Sequence, residues 1–191
     1  MAISLTKGSN VNLSKDAPGL TSALLGLGWD ARSTDGAGFD LDASALMLGA
    51  DGKVRSDADF VFYGNPATAD GAVKHHGDNL TGEGDGDDEQ VTINLASVPA
   101  DVERVALVVS IYDADERGQT FGQVRNAYIR LSNGDTGTEE FRYDLSEDYS
   151  TETAIIFAEV YRNGGDWKFK AIGQGFNNGL AGVAREFGVN V

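Results

Sequence analysis

The sequence predicts an all-β fold: a two-sheet antiparallel β-sandwich with a short C-terminal helix. Three observations predict it. The 191 residues include 25 glycines and only 3 prolines. The glycines fall mostly between short runs in which apolar and polar residues alternate, which is the pattern of strands joined by tight turns. One run, "ERVALVVSIYD" (103–113), is almost continuously apolar, as expected of a central strand buried on both faces. Turns of hairpin length separate most runs. Short turns force antiparallel pairing, and two such sheets bury their apolar faces against each other.

The elements follow in chain order. "FDLDASALML" (39–48) alternates for part of its length and then meets "GADGKV". There Asp51-Gly52 suits a type I′ hairpin, whose two central residues both need positive φ. "DFVFYGN" (59–65) reads as a compact aromatic strand, and "EQVTINL" (89–95) alternates through Val91, Ile93 and Leu95. "FGQVRNAYIRLS" (121–132) sets Val124, Ala127, Ile129 and Leu131 among polar residues and turns at "NGDTG" into "EEFRYDL" (139–145). "TAIIFAEVYR" (153–162) turns at "NGGD" into "WKFKAIGQGF" (167–176). These runs amount to about eight to ten strands. In "NNGLAGVAREFGVNV", Leu180, Val183, Ala184 and Phe187 fall at i, i+3, i+4 and i+7 and form one apolar stripe. Asn177 or Asn178 can cap its start, Gly188 suits the C′ position, and the helix is expected to cover one end of a sheet. With no internal repeat and no linker, one domain over residues 1–191 is expected.

Composition narrows the function. An apolar content of 41% is not that of a disordered chain. A formal charge of −15 repels nucleic-acid phosphates and anionic membranes, and suits cations or basic protein surfaces. The absence of cysteine removes disulfides, thiolate metal sites and thiol nucleophiles. "MAISLTKGSNVNLSKDAPG" lacks the apolar core of a secretory signal, and no run of 18 apolar residues spans a bilayer, so a cytoplasmic location is expected. There is no G-x-S-x-G elbow and no H-E-x-x-H, and the two histidines are adjacent, so no enzymatic activity is expected. Trp29 and Trp167 lie in alternating runs and are expected in the core. Glu159 is expected on the solvent face or paired with Arg162.

The stretch "HGDNLTGEGDGDDEQ" (76–90) holds Asp78, Glu83, Asp85, Asp87, Asp88 and Glu89 with no lysine or arginine among them. Charge runs are usually solvated faces. This one leads directly into strand 89–95, so its charges are not free to drift apart. Two unit charges about 5 Å apart repel by roughly 3 kcal/mol at an effective dielectric near 20. Gly77, Gly82, Gly84 and Gly86 alternate with the acids and let the backbone turn tightly enough to point carbonyls inward. An oxygen-only donor set favours calcium, which accepts six to eight oxygens, over zinc or copper. His75 and His76 are neighbours on a strand and point to opposite faces, so both do not reach one ion. The spacing is not that of an EF-hand, because the sixth residue from Asp85 is Gln90 rather than glycine. Asp40 and Asp42 in "GFDLD" face the same side of a strand and are candidates to complete the cage. Asp113 and Asp115 are either further ligands or turn formers. Six acids exceed what one ion needs, so two neighbouring calcium ions are expected.

"GLGWD" (26–30), "FDLDASALML" (39–48), "DFVFYGN" (59–65), "GDNLTGEGDGDDE" (77–89) and "GQGF" (173–176) closely resemble the TerD family of tellurite-resistance and stress-response proteins. The likeness runs from "ISLTKGSNVNL" to "GVNV". It implies a β-sandwich that binds calcium through the acidic loop and the "DLD" segment. Its cation site falls on Asp40, Asp42, Asp78, Asn79, Gly82, Gly84, Asp85, Asp87, Asp88 and Glu89, the glycines offering carbonyls only. The resemblance also implies a role in resistance to tellurite and other chemical or phage stress, with no known catalytic activity. The implied partners are other proteins of the same stress operon, some at the inner membrane face. Two functions are then open: a calcium-binding adaptor or sensor, or a calcium-dependent module for a small molecule, glycan or lipid. A chain without sulfur nucleophiles does not itself reduce tellurite by thiol chemistry, so any resistance role is indirect.

Overall fold

A computed structural model describes residues 2–31, 36–83, 86–145 and 149–191. Among them are strands β1 (Ile3–Ser4), β2 (Asn10–Asn12), β3 (Ser22–Gly28), β4 (Leu41–Leu48), β5 (Phe60–Val61), β6 (Val73–His75), β7 (Glu89–Asn94), β8 (Arg104–Ile111), β9 (Tyr128–Asn133), β10 (Glu139–Asp144), β11 (Ala154–Asn163) and β12 (Asp166–Phe176). Helices α1 (Leu13–Asp16), α2 (Ala114–Arg117) and α3 (Gly179–Glu186) connect or flank them. The first sheet runs β1-β10-β9-β3-β7-β6 and the second β2-β12-β11-β8-β4-β5. Pairing is antiparallel except where Ile3 and Ser4 of β1 run parallel to Phe141 and Arg142 of β10. The strands outside the runs named above are β3, seven residues long, and β1, β2 and β6, each two or three residues long and too short to print an alternating pattern. Among the described residues no helix is long and apolar enough to cross a membrane.

Alternation places the core. Leu25 and Leu27 of β3 and Val91 and Ile93 of β7 meet Ala43, Ala45 and Met47 of β4 and Val105, Leu107 and Val109 of β8 between the sheets. Phe141 and Phe169 stack across the gap with ring centroids 6.5 Å apart. Trp29 is buried there, and Trp167 packs at the margin under the Arg162 guanidinium, 4.4 Å from its ring. The opposite faces of β4 and β8 are apolar too. Leu46, Leu48, Ala106 and Val108 join Ile156, Val183 and Ala184 in a second buried cluster. This explains the continuous apolar run of β8, and it corrects the expected position of the helix. α3 lies on the outer face of the second sheet, against β8, β11 and β12, because an apolar outer face needs cover more than a sheet end does.

Local geometry departs from the sequence reading at four places. Asp51 does not take positive φ; only Gly52 does, at 75°. The turn closes through Gly52 N–H to Gly49 O (3.0 Å) and Gly49 N–H to Lys53 O (2.8 Å). A turn followed by a left-handed glycine spares the aspartate a strained conformation. Of "DFVFYGN", only Phe60 and Val61 pair as a strand, since Asp57–Asp59 form a 3₁₀ turn, fixed by Arg55 hydrogen bonds of 2.8 Å to each Asp59 oxygen. Residues Phe121–Gln123 likewise form a 3₁₀ turn, with a capping box between Thr120 and Gln123, so β9 begins only at Tyr128. Glu159 pairs with Arg104 at 3.6 Å rather than with Arg162. Arg162 instead turns to the carbonyls of Val98 (2.8 Å) and Val102 (3.1 Å).

Candidate metal centre

Three segments converge at one end of the sandwich: the entry to β4, the part of the β6–β7 connection around Asp78, and the 112–117 segment after β8. Antiparallel pairing of Leu41 with Ile111 brings the first and third together, and the Tyr112 N–H to Asp40 O bond (2.8 Å) ties them. Asp40 and Asp42 stand two residues apart and share a side, as strand geometry demands. Asp78 arrives from the loop. One carboxylate oxygen from each of Asp40, Asp42 and Asp78 lies within 4.8 Å of the other two. Asp40 and Asp42 are buried and Asp78 is exposed.

Glu89 opens β7 and is buried beside this group. Its Oε2 accepts a short bond, 2.5 Å, from the Ala43 N–H on β4. His75 Nε2 stands 3.5 Å from the same oxygen, while Nδ1 accepts from Gly77 N–H at 3.2 Å. That bond puts the imidazole proton on Nε2, facing Glu89. His76 points the other way, to Thr92 Oγ1 at 2.7 Å. The other oxygens of these two side chains, Asp40 Oδ1 and Glu89 Oε1, are buried with no hydrogen-bond donor among the described residues. An unmet buried acceptor costs about 1–3 kcal/mol, and more when charged.

The electrostatics match. Burial, followed by the charges of Glu89, Asp40 and Asp78, pushes the Asp42 carboxyl up to about 8. Asp40 is raised by burial and by Asp78, against an opposing pull from Arg117, whose Nη1 is 3.6 Å from Asp40 Oδ2. Glu89 is raised by burial despite its contacts with His75 and Ala43. Arg117 thus offsets part of the charge of Asp40 and Asp42, while Glu89 has His75 beside it. The donors are all oxygen, two of them orphaned, and a hard divalent cation fits that set.

The other candidate residues are placed differently. Asn79 Oδ1 accepts from the N–H groups of Thr81 and Gly82, each at 3.1 Å, and its amide donates to Asp88 Oδ1 at 3.0 Å. Asp88 Oδ2 accepts from Trp29 N–H at 3.0 Å. Asn79 and Asp88 therefore hold the loop to the end of β3. Gly82, at φ 67°, lies on the Trp29 indole, where a Cβ would stand 2.4 Å from Nε1. Asp87 turns onto the outer face of the first sheet, over Gly26. There Arg130 grips it through Nε (2.7 Å) and Nη2 (3.1 Å), and Tyr128 OH lies 3.3 Å away. Asp113 and Asp115 line a cleft beside Asp42, and Asp113 holds a left-handed φ of 49°. Gly84 and Asp85 lie outside the described residues. Sequence reasoning missed Arg117 and Arg130 as counter-ions. Nothing in spacing marks Arg130, which meets its partner 43 residues away.

The fold and site define a β-sandwich that gathers acids at one end, with Asp40, Asp42 and Glu89 buried and Asp78 exposed. The chain belongs to the TerD family, whose domain matches residues 1–187. It is 60% identical over 190 residues to the tellurium resistance protein TerD of an Alcaligenes species, covering 100% of this chain and 99% of that protein. It is 51% identical over 192 residues to general stress protein 16U of Bacillus subtilis (strain 168), covering 100% of both. Among solved structures, a homologue of telluride resistance protein (TerD) from Streptomyces coelicolor A3(2) superposes with a TM-score of 0.70 at 26% identity. That match covers 87% of this chain and 96% of the other.

Proposed function

We propose that this protein is a calcium-binding, non-enzymatic adaptor of tellurite and chemical-stress resistance that acts in the cytoplasm with other proteins of the same stress system. The observation that carries the calcium reading is the convergence of Asp40, Asp42 and Asp78 beside a buried Glu89, with Asp40 Oδ1 and Glu89 Oε1 lacking a donor among the described residues. Asp40, Asp42 and Asp78 would hold the ion, and Glu89 would answer to its charge from the β7 side. Bound calcium would supply positive charge and oxygen coordination there, with waters or carbonyls filling the rest of six to eight positions. The relatives named for tellurium resistance and general stress support the resistance role. Asp87, already neutralised by Arg130, serves the loop rather than the ion. A second ion, expected from the number of acids, would need ligands from the tip of the loop.

What the ion would join supports the adaptor role. Asp40 and Asp42 lie at the start of β4 in the second sheet, whereas Asp78 lies in the connection to β7 of the first sheet, which Glu89 opens, so calcium would fix the relative position of segments that form one end surface. Calorimetric titration of metal-stripped protein with calcium and with magnesium tests the reading, beside Asp40→Asn/Asp42→Asn. The wild type should bind calcium in preference to magnesium, and the variant should stay folded and bind neither. A wild type that gives no binding heat in millimolar calcium overturns it.

A further inference from the structure

Next to the three carboxylates lies a concave cleft of about 420 Å³, a size within the ~300–1,000 Å³ of small-ligand sites. Asp42, Tyr63, Tyr112, Asp113, Asp115 and Glu116 line it, together with the first turn of α3. Both tyrosines are open to solvent, Tyr63 at 45% and Tyr112 at 40%. Their rings meet at 75° with centroids 6.4 Å apart, which makes a corner of two aromatic surfaces rather than a closed stack. Phe60 and Phe62 continue the row behind Tyr63 and hold it in place.

We propose that this cleft binds a small organic ammonium ion, its positive charge seated in the Tyr63–Tyr112 corner and its amine or methylene groups directed at the surrounding carboxylates. The charge of the ligand follows from the walls. No lysine or arginine among the described residues lines the cleft, whereas the exposed acids Asp113, Asp115 and Glu116 do, beside the buried Asp42, so an anion is repelled. An uncharged ligand would leave the acids unanswered. An organic cation uses both features, since the negative face of an aromatic ring attracts a weakly hydrated cation. The Tyr112 ring already takes one: the guanidinium carbon of Arg117 lies 5.2 Å from its centroid. Arg117 is not among the residues lining the cleft, whereas both tyrosines are, so the corner between the two rings faces the ligand. The proposal does not depend on calcium at the neighbouring centre.

The test is a titration of the full chain with choline, with putrescine, and with 3,3-dimethylbutan-1-ol, the uncharged carbon isostere of choline. It is followed by tyrosine ring proton shifts in calcium and again in chelator. At least one ammonium should bind saturably and the isostere about tenfold more weakly or not at all, as loss of a desolvated cation–π contact implies. Preference for choline would mark a quaternary ligand and preference for putrescine a primary amine. Tyr63→Leu and Tyr112→Leu should each weaken binding about tenfold, while Tyr112→Phe, which keeps the ring face, should change it little. Both side chains are exposed enough for truncation to leave the core intact, and calcium titration of the same variants reads the metal centre separately. Absence of saturable binding by either ammonium, equal binding of the isostere, or unchanged affinity in both leucine variants overturns the proposal.

Discussion

Asp42 is the residue on which the electrostatics of the site concentrate. Its carboxyl titrates near 3.8 when unperturbed and at about 8 in the fold. Between those values the folded chain keeps a proton that the unfolded chain has released, so ν_N exceeds ν_U and stability falls as pH rises through that window. Asp40 and Glu89 are raised as well and add with the same sign. Metal-stripped protein should therefore melt at a lower temperature at pH 8 than at pH 5. Saturating calcium, which takes the place of the proton, should flatten that slope, and so should Asp42→Asn. Thermal midpoints across pH in chelator check this, and a profile that rises toward pH 8 contradicts it. Gly82 makes a second, purely steric claim. A side chain there meets the Trp29 indole at a positive φ, so Gly82→Ala should cost about 1–3 kcal/mol in denaturant unfolding, whereas the same change at Gly71, which meets nothing, should cost less.

At the scale of elements, the strands carry the acids to their places. Asp87 is the clearest case. Its side chain is only 2% exposed and its charge is met by Arg130 on β9, which also reaches Glu139 on β10 at 3.1 Å. Removing one partner leaves a covered charge unmatched, which in buried pairs costs about 3–5 kcal/mol. Arg130 is 31% exposed, so Arg130→Ala should lie toward or below the lower end of that range. The double change Asp87→Ala/Arg130→Ala should recover part of the loss in a double-mutant cycle, and strict additivity would count against the pairing. Much of this level was legible in the sequence. Glu89 falls on the same parity as Val91 and Ile93, so alternation alone puts it on the buried face of β7. The run 103–113 announced a strand covered on both sides. What covered it was not legible, because the stripe of α3 states that a face is apolar and not which sheet receives it. Nor was the partner of Asp87, since no period connects residues 87 and 130. The acidic loop read as one ligand set because all its acids look alike in sequence. The fold separates them by face, giving Asp78 to the cluster, Asp88 to the Trp29 backbone and Asp87 to Arg130.

At the scale of the whole molecule, the two sheets share one apolar interior but meet at the acidic end through like charges. The entry to β4 brings Asp40 and Asp42 from one sheet, and the β6–β7 connection brings Asp78 and Glu89 from the other. On the calcium reading proposed above, a bound cation would offset that repulsion and act as a cross-link between the sheets. Binding to the folded state alone stabilises it by about 2.7 kcal/mol when free ion is a hundredfold above Kd. The most direct test is the thermal midpoint of metal-stripped protein with calcium, with magnesium and with chelator, alongside Asp40→Asn/Asp42→Asn. A rise specific to calcium in the wild type and absent from the variant is the predicted result. An unchanged midpoint in the wild type, or an equal rise in the variant, would contradict the account.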